Sequence, residues 1–199
     1  MALLPFSKGH KDEGPSVVDL LRQDHHTVKA LFREFEAEEK PDAKQRIVQQ
    51  ALDELEVHAS VEEKIFYPAV REDSPDVADK LDEALEEHHA ARLLMHELRG
   101  MAPSDERFDA KFRVLAEMVK HHVKEEEAEM FARARTGDLD LHQLGQRLQA
   151  AKRSFASRHR QKEQPGKQAR KAGRKVPGAR LGTRPQKTGR RKAKRRPAA

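Results

Sequence analysis

Residues 48–69 read VQQALDELEVHASVEEKIFYPA. Apolar side chains recur in this stretch at steps of three or four residues, from Val48 through Leu55 to Ile65, which is the period of one face of an α-helix. His58 and Glu62 stand in the same row, at positions where a helix bundle normally places leucine. Their i, i+4 spacing puts both side chains on one face. The stretch therefore predicts a helix that points an imidazole and a carboxylate into the interior.

Three further segments show the same apolar period. Each again carries polar residues within its apolar row: His25 within residues 18–35, His88 within 81–98, and His122 with Glu126 within 108–130. Ser16 and Asp19 form a capping-box pattern at the start of the first segment. The connections are short and alternating β-branched runs are absent. We therefore expect an all-α fold, an antiparallel up-down-up-down four-helix bundle.

The polar residues in these rows are costly to bury unless they share a partner. Each unpaired buried carboxylate or imidazole costs several kcal/mol, whereas a whole domain has roughly 5–15 kcal/mol of net stability. A pair of metal ions compensates for these costs, because each cation neutralises carboxylates and accepts imidazole lone pairs. The sequence thus predicts six metal ligands, which are His25, His58, Glu62, His88, His122 and Glu126.

The arrangement occurs twice along the chain. His25 and His58 are 33 residues apart, and His88 and His122 are 34 apart. The run HASVEE at 58–63 resembles HVKEEE at 122–127. Two helix hairpins related by a pseudo-twofold axis would give each metal similar ligands and let the glutamates bridge.

Doubled residues leave alternatives open. His121 with Glu125 continues an apolar row almost as well as His122 with Glu126. Solvated helix faces are the competing interpretation for any single histidine, but the pattern on four helices favours metal ligands. His96 and Tyr67 are candidate extra ligands, for which we favour surface or packing roles.

Two further segments follow the predicted bundle of residues 16–135. Residues 138–160 carry a fifth amphipathic row with Leu144 and Leu148, and residues 161–199 form a tail rich in Lys and Arg. Such a tail has too few apolar side chains to offset its ordering entropy, so we expect it to be disordered. Residues 1–15 are expected to be a flexible leader.

The charge divides sharply between these parts. From residue 152 onward there are 19 Lys and Arg and one acid, a net charge of +18, while the rest of the chain holds 21 bases and 33 acids, a net charge of −12. The tail is expected to bind DNA or RNA phosphates without reading bases. It lacks aromatic residues for stacking on single strands. Docking of the tail on the acidic body, or a purely solubilising role, are the alternatives.

These residues resemble the hemerythrin-like, or HHE cation-binding, family. The resemblance covers about residues 16–133 and is carried by Asp24-His25, His58-x-x-x-Glu62, Glu87-His88 and His122-x-x-x-Glu126. It implies two iron ions in an oxo- or hydroxo-bridged centre that meets O2, NO or peroxide; zinc and manganese also suit these donors. Ferritin-like bundles use Glu-x-x-His instead.

Two positions depart from the oxygen-carrying hemerythrins. Arg92 stands where they have a second third-helix histidine, and their last carboxylate, an aspartate, falls at the position of Glu127, which leaves Glu127 open as a replacement for a predicted ligand. The resemblance therefore implies six ligands and an open coordination position, which casts doubt on reversible oxygen carriage. We expect a protein that binds or senses O2 or NO or buffers iron. The alternatives are a di-iron enzyme acting on peroxide or O2, and a nucleic-acid-associated protective protein.

The remaining composition bears on location. Cysteine is absent, so disulfides and thiolate metal sites are excluded. The first residues lack the apolar stretch of a signal peptide, and no apolar run is long enough to cross a bilayer. We expect a cytoplasmic protein without membrane partners, associated with the nucleoid if its tail binds DNA.

Overall fold

The computed structural model describes residues 14–163, and only the backbone of 158–163. The predicted tail beyond 163 and the predicted leader up to 13 lie outside the described residues. The long helices are α1 (Val17–Ala37), α2 (Pro41–Val61), α4 (Ala78–Arg99), α5 (Phe108–Ala128) and α7 (Leu141–Glu163), and the short ones are α3 (Tyr67–Asp73) and α6 (Met130–Thr136). Residues 14–163 contain no strand. The predicted all-α bundle with a fifth C-terminal helix is confirmed.

The start of α1 follows the predicted capping box. The Ser16 hydroxyl accepts a hydrogen bond from the Asp19 amide at 3.2 Å and donates one to the Asp19 carboxylate at 2.7 Å. This cap satisfies a backbone donor that has no partner within the helix. It fixes the register from which His25 turns inward two turns later.

Both helices that carry two of the predicted ligands are distorted just after the glutamate. Between α2 and α3 the chain forms a π-helical turn, Glu62–Phe66, in which the Tyr67 amide donates to the Glu62 carbonyl. Glu129 similarly separates α5 from α6. A π turn adds one residue to a helical turn and rotates the residues that follow. The chain stays helical through it, so the apolar period of the sequence predicts one unbroken helix in this region. The connection before α4 is a short 3₁₀ turn, Pro75–Val77.

Two apolar clusters fill the bundle, one on either side of the polar residues. The hairpin core lies toward the α1–α2 and α4–α5 connections and includes Phe32, Phe35, Leu52, Phe108, Phe112 and Leu115. The α7 core lies at the other end and includes Leu21, Phe66, Leu81, Phe131, Leu144 and Leu148. His25 falls between Leu21 and Val28 along α1, so the predicted ligands form a layer between the two cores.

Helix α7 packs closely against the start of α1. Leu148 is fully buried in the α7 core. A Cβ atom at Gly145 would lie 2.4 Å from the Pro15 carbonyl oxygen, so only glycine lets the two backbones approach this far. The docking brings Lys152 of α7 beside Asp24 of α1. Within residues 14–163, no helix combines the length and apolar character needed to cross a membrane.

Candidate metal centre

The structure brings all six predicted ligands into one buried layer. Glu62 and Glu126 are completely buried, and the four histidines expose at most 6% of their surface. Four different helical segments supply them, since α1 carries His25, α4 carries His88, and the other two pairs come from α2 with its π turn and from α5. The apolar rows of the sequence thus converge in space, and the imidazole Nε2 atoms all point toward the centre.

The first group of side chains surrounds one potential cation position. His25 Nε2 lies 3.1 Å from His58 Nε2 and 3.2 Å from Glu126 Oε2. His58 Nε2 lies 2.9 Å from Glu62 Oε1. Ligand atoms of these four residues all lie within 4.8 Å of one another. Two nitrogens and two carboxylates at this spacing can share one cation.

The second group surrounds a neighbouring position. His88 Nε2 lies 3.3 Å from His122 Nε2 and 3.3 Å from Glu62 Oε2. Glu62 therefore turns one oxygen toward each group, which is the geometry of a bridging carboxylate. The second group contains three residues and the first contains four, so the two positions are not identical.

Each inward-facing histidine has a carboxylate at its other ring nitrogen. Glu127 lies 2.8 Å from His25 Nδ1 and Glu63 lies 3.0 Å from His88 Nδ1. The two remaining pairs are Asp24 with His58 at 3.3 Å and Glu87 with His122 at 2.7 Å. A carboxylate that accepts the Nδ1 proton directs the Nε2 lone pair inward, and such partners are typical of histidine metal ligands.

The sequence indicated Glu127 as an alternative ligand and Asp24 and Glu87 as parts of the family pattern, but it did not predict that these three and Glu63 accept from the histidines, although the repeat contained the signal. Asp24 and Glu87 each precede the single histidine of a hairpin, while Glu63 and Glu127 each follow a glutamate of the centre. The pseudo-twofold relation predicted for the ligands thus extends to their hydrogen-bond partners. The pattern was hidden because acidic residues on exposed helix faces are common.

Basic residues hold three of these four carboxylates. Glu63, the Nδ1 partner of His88, pairs with Arg92 at 2.8 Å. Arg92 stands where the oxygen-carrying hemerythrins have a second third-helix histidine, so here that residue fixes the partner of a predicted ligand. Glu127 lies 3.7 Å from both Arg22 and Lys29. Lys152 pairs with Asp24. Among the described residues, Glu87 forms no ion pair with a lysine or arginine.

The buried charges shift one another's pKa strongly. Burial lowers the pKa of His25, but Glu126 and Glu62 outweigh it and raise that pKa to about 9. The same competition raises the pKa of His58 to about 10 and that of His88 to about 9. The pKa of Glu126 is raised by burial and by the negative charge of Glu62. These imidazoles therefore hold protons at neutral pH unless a cation takes their place.

The donor set fits a pair of cations. All four oxygens of Glu62 and Glu126 are buried, and within the described part of the chain three of them face only histidine Nε2 atoms, which are themselves candidate metal ligands. Unpartnered buried carboxylate oxygens are rare and costly. Imidazole nitrogens and carboxylate oxygens together suit iron, zinc or manganese. The layer is therefore consistent with metal binding and is poorly explained as ordinary core.

An apolar cavity of about 120 Å³ opens beside the four histidines. Its apolar lining includes Val28, Leu55, Ala91, Met95, Met118 and Val119, and Lys29 and Arg92 also line it. A single water needs only about 10–15 Å³ of such space. The cavity can therefore admit a molecule of a few atoms to the edge of the centre.

The alternative ligands lie elsewhere. His26, His89 and His96 are exposed. His121 is 63% exposed and pairs with Glu125 at 3.4 Å; together with Glu87 they form a third, surface group of potential ligands. His122 with Glu126, and not His121 with Glu125, belongs to the buried layer.

Tyr67 lies against the layer and not at the surface. Its ring stacks on His88 with 5.7 Å between centroids, and its buried hydroxyl has no hydrogen-bond partner among the described residues. Burial and the charges of Glu62 and Glu126 raise its pKa well above the usual range. Tyr67 therefore packs in the interior, as one of the two roles expected from the sequence, and it lies beside Glu62 and Glu126.

Comparisons with known proteins agree with this geometry. Residues 16–134 match the hemerythrin HHE cation binding domain. A protein named DNA nickase from Nostoc sp. is 30% identical over 131 residues, which are 65% of this chain and 36% of that protein; the chain thus spans about a third of the relative. The crystal structure of a hemerythrin HHE cation binding domain-containing protein from Mycobacterium kansasii superposes with a TM-score of 0.64 at 21% identity. The superposition covers 78% of this chain and 97% of that chain. At 21% identity it shows that the two proteins share a fold.

Proposed function

The chain belongs to the hemerythrin HHE cation-binding family, and from that premise we propose that its buried layer holds two iron ions and binds or senses O2 or NO, or buffers iron. When bound, such a pair of ions would supply redox chemistry toward small oxygen and nitrogen species. The observation that carries the proposal is the convergence of four imidazole Nε2 atoms and two carboxylates in one buried layer. A protein interior tolerates such carboxylates when a cation neutralises them.

Each residue of the layer has a distinct part in the proposal. His25, His58 and Glu126 would hold one ion, and His88 and His122 the other. Glu62 would bridge the two, because each of its oxygens faces a different group. The four carboxylates at the Nδ1 atoms would keep the imidazoles oriented and neutral at Nε2.

The cavity beside the histidines supports a small-ligand function. Its mainly apolar walls favour uncharged diatomic molecules and disfavour ordered water. Arg92 lines the cavity, and its ion pair with Glu63 holds the guanidinium at the cavity wall. The second group has only three residues, so its position would be the more open one for a ligand.

Metal analysis and optical spectroscopy test the proposal directly. The purified protein is loaded anaerobically with Fe²⁺, and its iron content and absorption spectrum are recorded before and after O2 or NO, and again after dithionite. Two bound irons with ligand-dependent absorption changes are expected. Two bound zinc ions in protein purified without added metal, together with failure to retain iron, would contradict the assignment to iron.

An enzyme acting on peroxide or O2 is the alternative function for the same centre. The cavity, of about 120 Å³, is also large enough for hydrogen peroxide. Turnover of hydrogen peroxide by the iron-loaded protein distinguishes the two functions. Many turnovers per centre without loss of iron would favour the enzyme, whereas stoichiometric consumption would favour binding or sensing.

The basic tail supports a second proposal, an association with nucleic acid. From residue 152 onward the chain carries a net charge of +18, and one relative is named a DNA nickase. Residues 162–199 would bind the phosphates of double-stranded DNA without base specificity. This binding would hold the metal centre near DNA, and the protein would be cytoplasmic and associated with the nucleoid. Such tethering could protect DNA from iron-driven oxidation.

Deletion of residues 162–199 tests the tail. Binding to double-stranded DNA is measured at several salt concentrations, because neutralised phosphates release counterions and make the affinity fall steeply with salt. The deletion should abolish binding, and replacing Arg190, Arg191, Lys192, Lys194, Arg195 and Arg196 by glutamine should reduce the salt slope. Unchanged binding after the deletion would contradict the tether.

A further inference from the structure

The two halves of the centre differ at one pair of equivalent carboxylates. Asp24 and Glu87 occupy corresponding positions in the two hairpins, and each faces the Nδ1 atom of the other histidine of its own hairpin. Lys152 pairs with both oxygens of Asp24. Glu87 has no lysine or arginine partner among the described residues. Helix α7 therefore adds a charge to one half of the centre alone.

The two hydrogen bonds differ in the direction that this charge predicts. Asp24 Oδ2 lies 3.3 Å from His58 Nδ1, while Glu87 Oε2 lies 2.7 Å from His122 Nδ1. The oxygen nearest His58 is also one of those that Lys152 contacts. A carboxylate oxygen shared with an ammonium group is a weaker acceptor for a second donor, because part of its negative charge is already neutralised. That competition acts in the direction of the longer contact at His58, and the side chain of Asp24, one carbon shorter than that of Glu87, acts in the same direction.

We propose that Lys152 is a positioning residue that makes the two cation positions inequivalent by drawing Asp24 away from His58. A weaker hydrogen bond at Nδ1 makes the imidazole a poorer electron donor at Nε2. The cation at the His25 and His58 position is therefore bound less tightly by its imidazoles than its ligand count suggests. This inference rests on the part of the proposed function that two cations bind in the layer. It does not require that these cations are iron.

The packing of α7 makes Lys152 a fixed contact. Leu148, one helical turn before Lys152, is fully buried. The side chains of Lys152 and Asp24 are 26% and 15% exposed, so their pairing is partly shielded from solvent. The matching carboxylates of the other pair, Glu63 and Glu127, both have basic partners. Among the four carboxylates at the Nδ1 atoms, Asp24 and Glu87 are thus the one equivalent pair of which only one member has a lysine or arginine partner among the described residues.

Titration with Co²⁺, followed by visible absorption, tests the inference without iron chemistry. Lys152→Met keeps an unbranched side chain that is one atom shorter and removes the charge, so Asp24 should close on His58. We expect two binding steps in the native protein, of which one tightens about tenfold in Lys152→Met, the lower end of the range for partners of metal ligands. Lys152→Arg should behave as the native protein does.

Proton NMR of the Co²⁺-loaded protein provides a structural readout. The Nδ1 protons of Co²⁺-bound histidines give separate, strongly shifted resonances, and Lys152→Met should move one of them. In an Asp24→Asn background Lys152→Met should change neither the affinity nor this resonance.

The outcomes separate this inference from the proposed function. Failure of the native protein to bind two Co²⁺ ions would contradict the two-cation centre itself. Two bound ions with unchanged or weaker affinity in Lys152→Met would overturn the role of Lys152 alone. An equal effect in the Asp24→Asn background would also overturn it, because Lys152 would then not act through Asp24.

Discussion

The hairpin core and the polar layer are built on the same four helices, yet they are stabilised in different ways. In the hairpin core, Phe112 packs against Phe35 and Phe32 with ring centroids 4.5 and 5.6 Å apart, and its neighbours are apolar. In the layer, Glu62 and Glu126 bury their carboxylates against the histidines alone, with Nε2–oxygen distances of 2.9–3.3 Å. The core is stable by burial alone, whereas the layer depends on protons or cations.

The difference shows how one bundle combines a scaffold with a site. Apolar burial is nondirectional and depends little on pH. The histidines and glutamates are positioned by that packing, but their own free energy depends on what occupies the space between them. Changes in the two regions should therefore have separable effects on stability and on metal content.

The largest effect is expected from Glu62→Ala. Each oxygen of Glu62 faces a different group, so the substitution should lower the affinity of both cation positions and reduce the metal content from two to nearly none. Metal analysis after dialysis against a weak chelator measures this loss. Glu56→Ala, on the exposed side of α2, is the matched control and should keep both ions. Full metal content in Glu62→Ala would contradict the bridging arrangement.

The stability of the metal-free protein should fall between pH 7 and 10. The pKa values of His25, His58 and His88 are raised to about 9, 10 and 9, above the value of about 6.5 expected in the unfolded chain. Their contribution is fully present below about pH 6.5 and is lost as the pH rises through the raised values. Urea unfolding at several pH values, after removal of metal, measures the decline.

A buried and an exposed histidine provide the test and the control for this pH dependence. His58→Gln should flatten the decline, whereas His89→Gln, at an exposed position, should leave it unchanged. Metal loading should show the opposite trend, because cations must displace the same protons and bind better at higher pH. A metal-free protein that gains stability from pH 7 to 10 would be inconsistent with the buried ion pairs.

A substitution in the hairpin core should act on stability alone. Phe112→Ala removes a fully buried ring and should lower the free energy of unfolding by about 3–5 kcal/mol. The loss should be similar in metal-loaded and metal-free protein, measured by urea unfolding, and the metal content should stay at two. A much larger loss in one state than in the other would mean that the two regions are coupled.

The sequence predicted the regions that repeat a pattern. The apolar period placed His25 inside and His26 outside, and the same period indicated His122 where His121 was nearly as good. These predictions succeeded because helical periodicity and burial are local properties of each segment. The six side chains of the layer are buried together as expected, and their role as metal ligands stays a prediction.

The sequence did not predict contacts that depend on how helices dock. Lys152 reaches Asp24 across 128 residues, and nothing near Lys152 distinguishes it from the other bases of the C-terminal part. The π turn at Glu62–Phe66 also escaped prediction, because the apolar period continues through it. The position of Tyr67 beside His88 depends on that turn, since Tyr67 follows it directly.

The smallest effect is expected where α7 meets α1, outside both compared regions. Gly145→Ala would bring a Cβ atom within 2.4 Å of the Pro15 carbonyl oxygen, and because this neighbour is backbone, α7 must shift. Overpacking of this kind costs about 1–3 kcal/mol, measured as a lower thermal midpoint. At Gly100 the nearest atom would be 3.4 Å away, so Gly100→Ala should be neutral or slightly stabilising. If Gly145→Ala also changes the Co²⁺ affinity of one position, as loss of Lys152 should, the docking of α7 couples the helical scaffold to the metal centre. If only the thermal midpoint falls, the metal centre does not depend on how closely α7 packs.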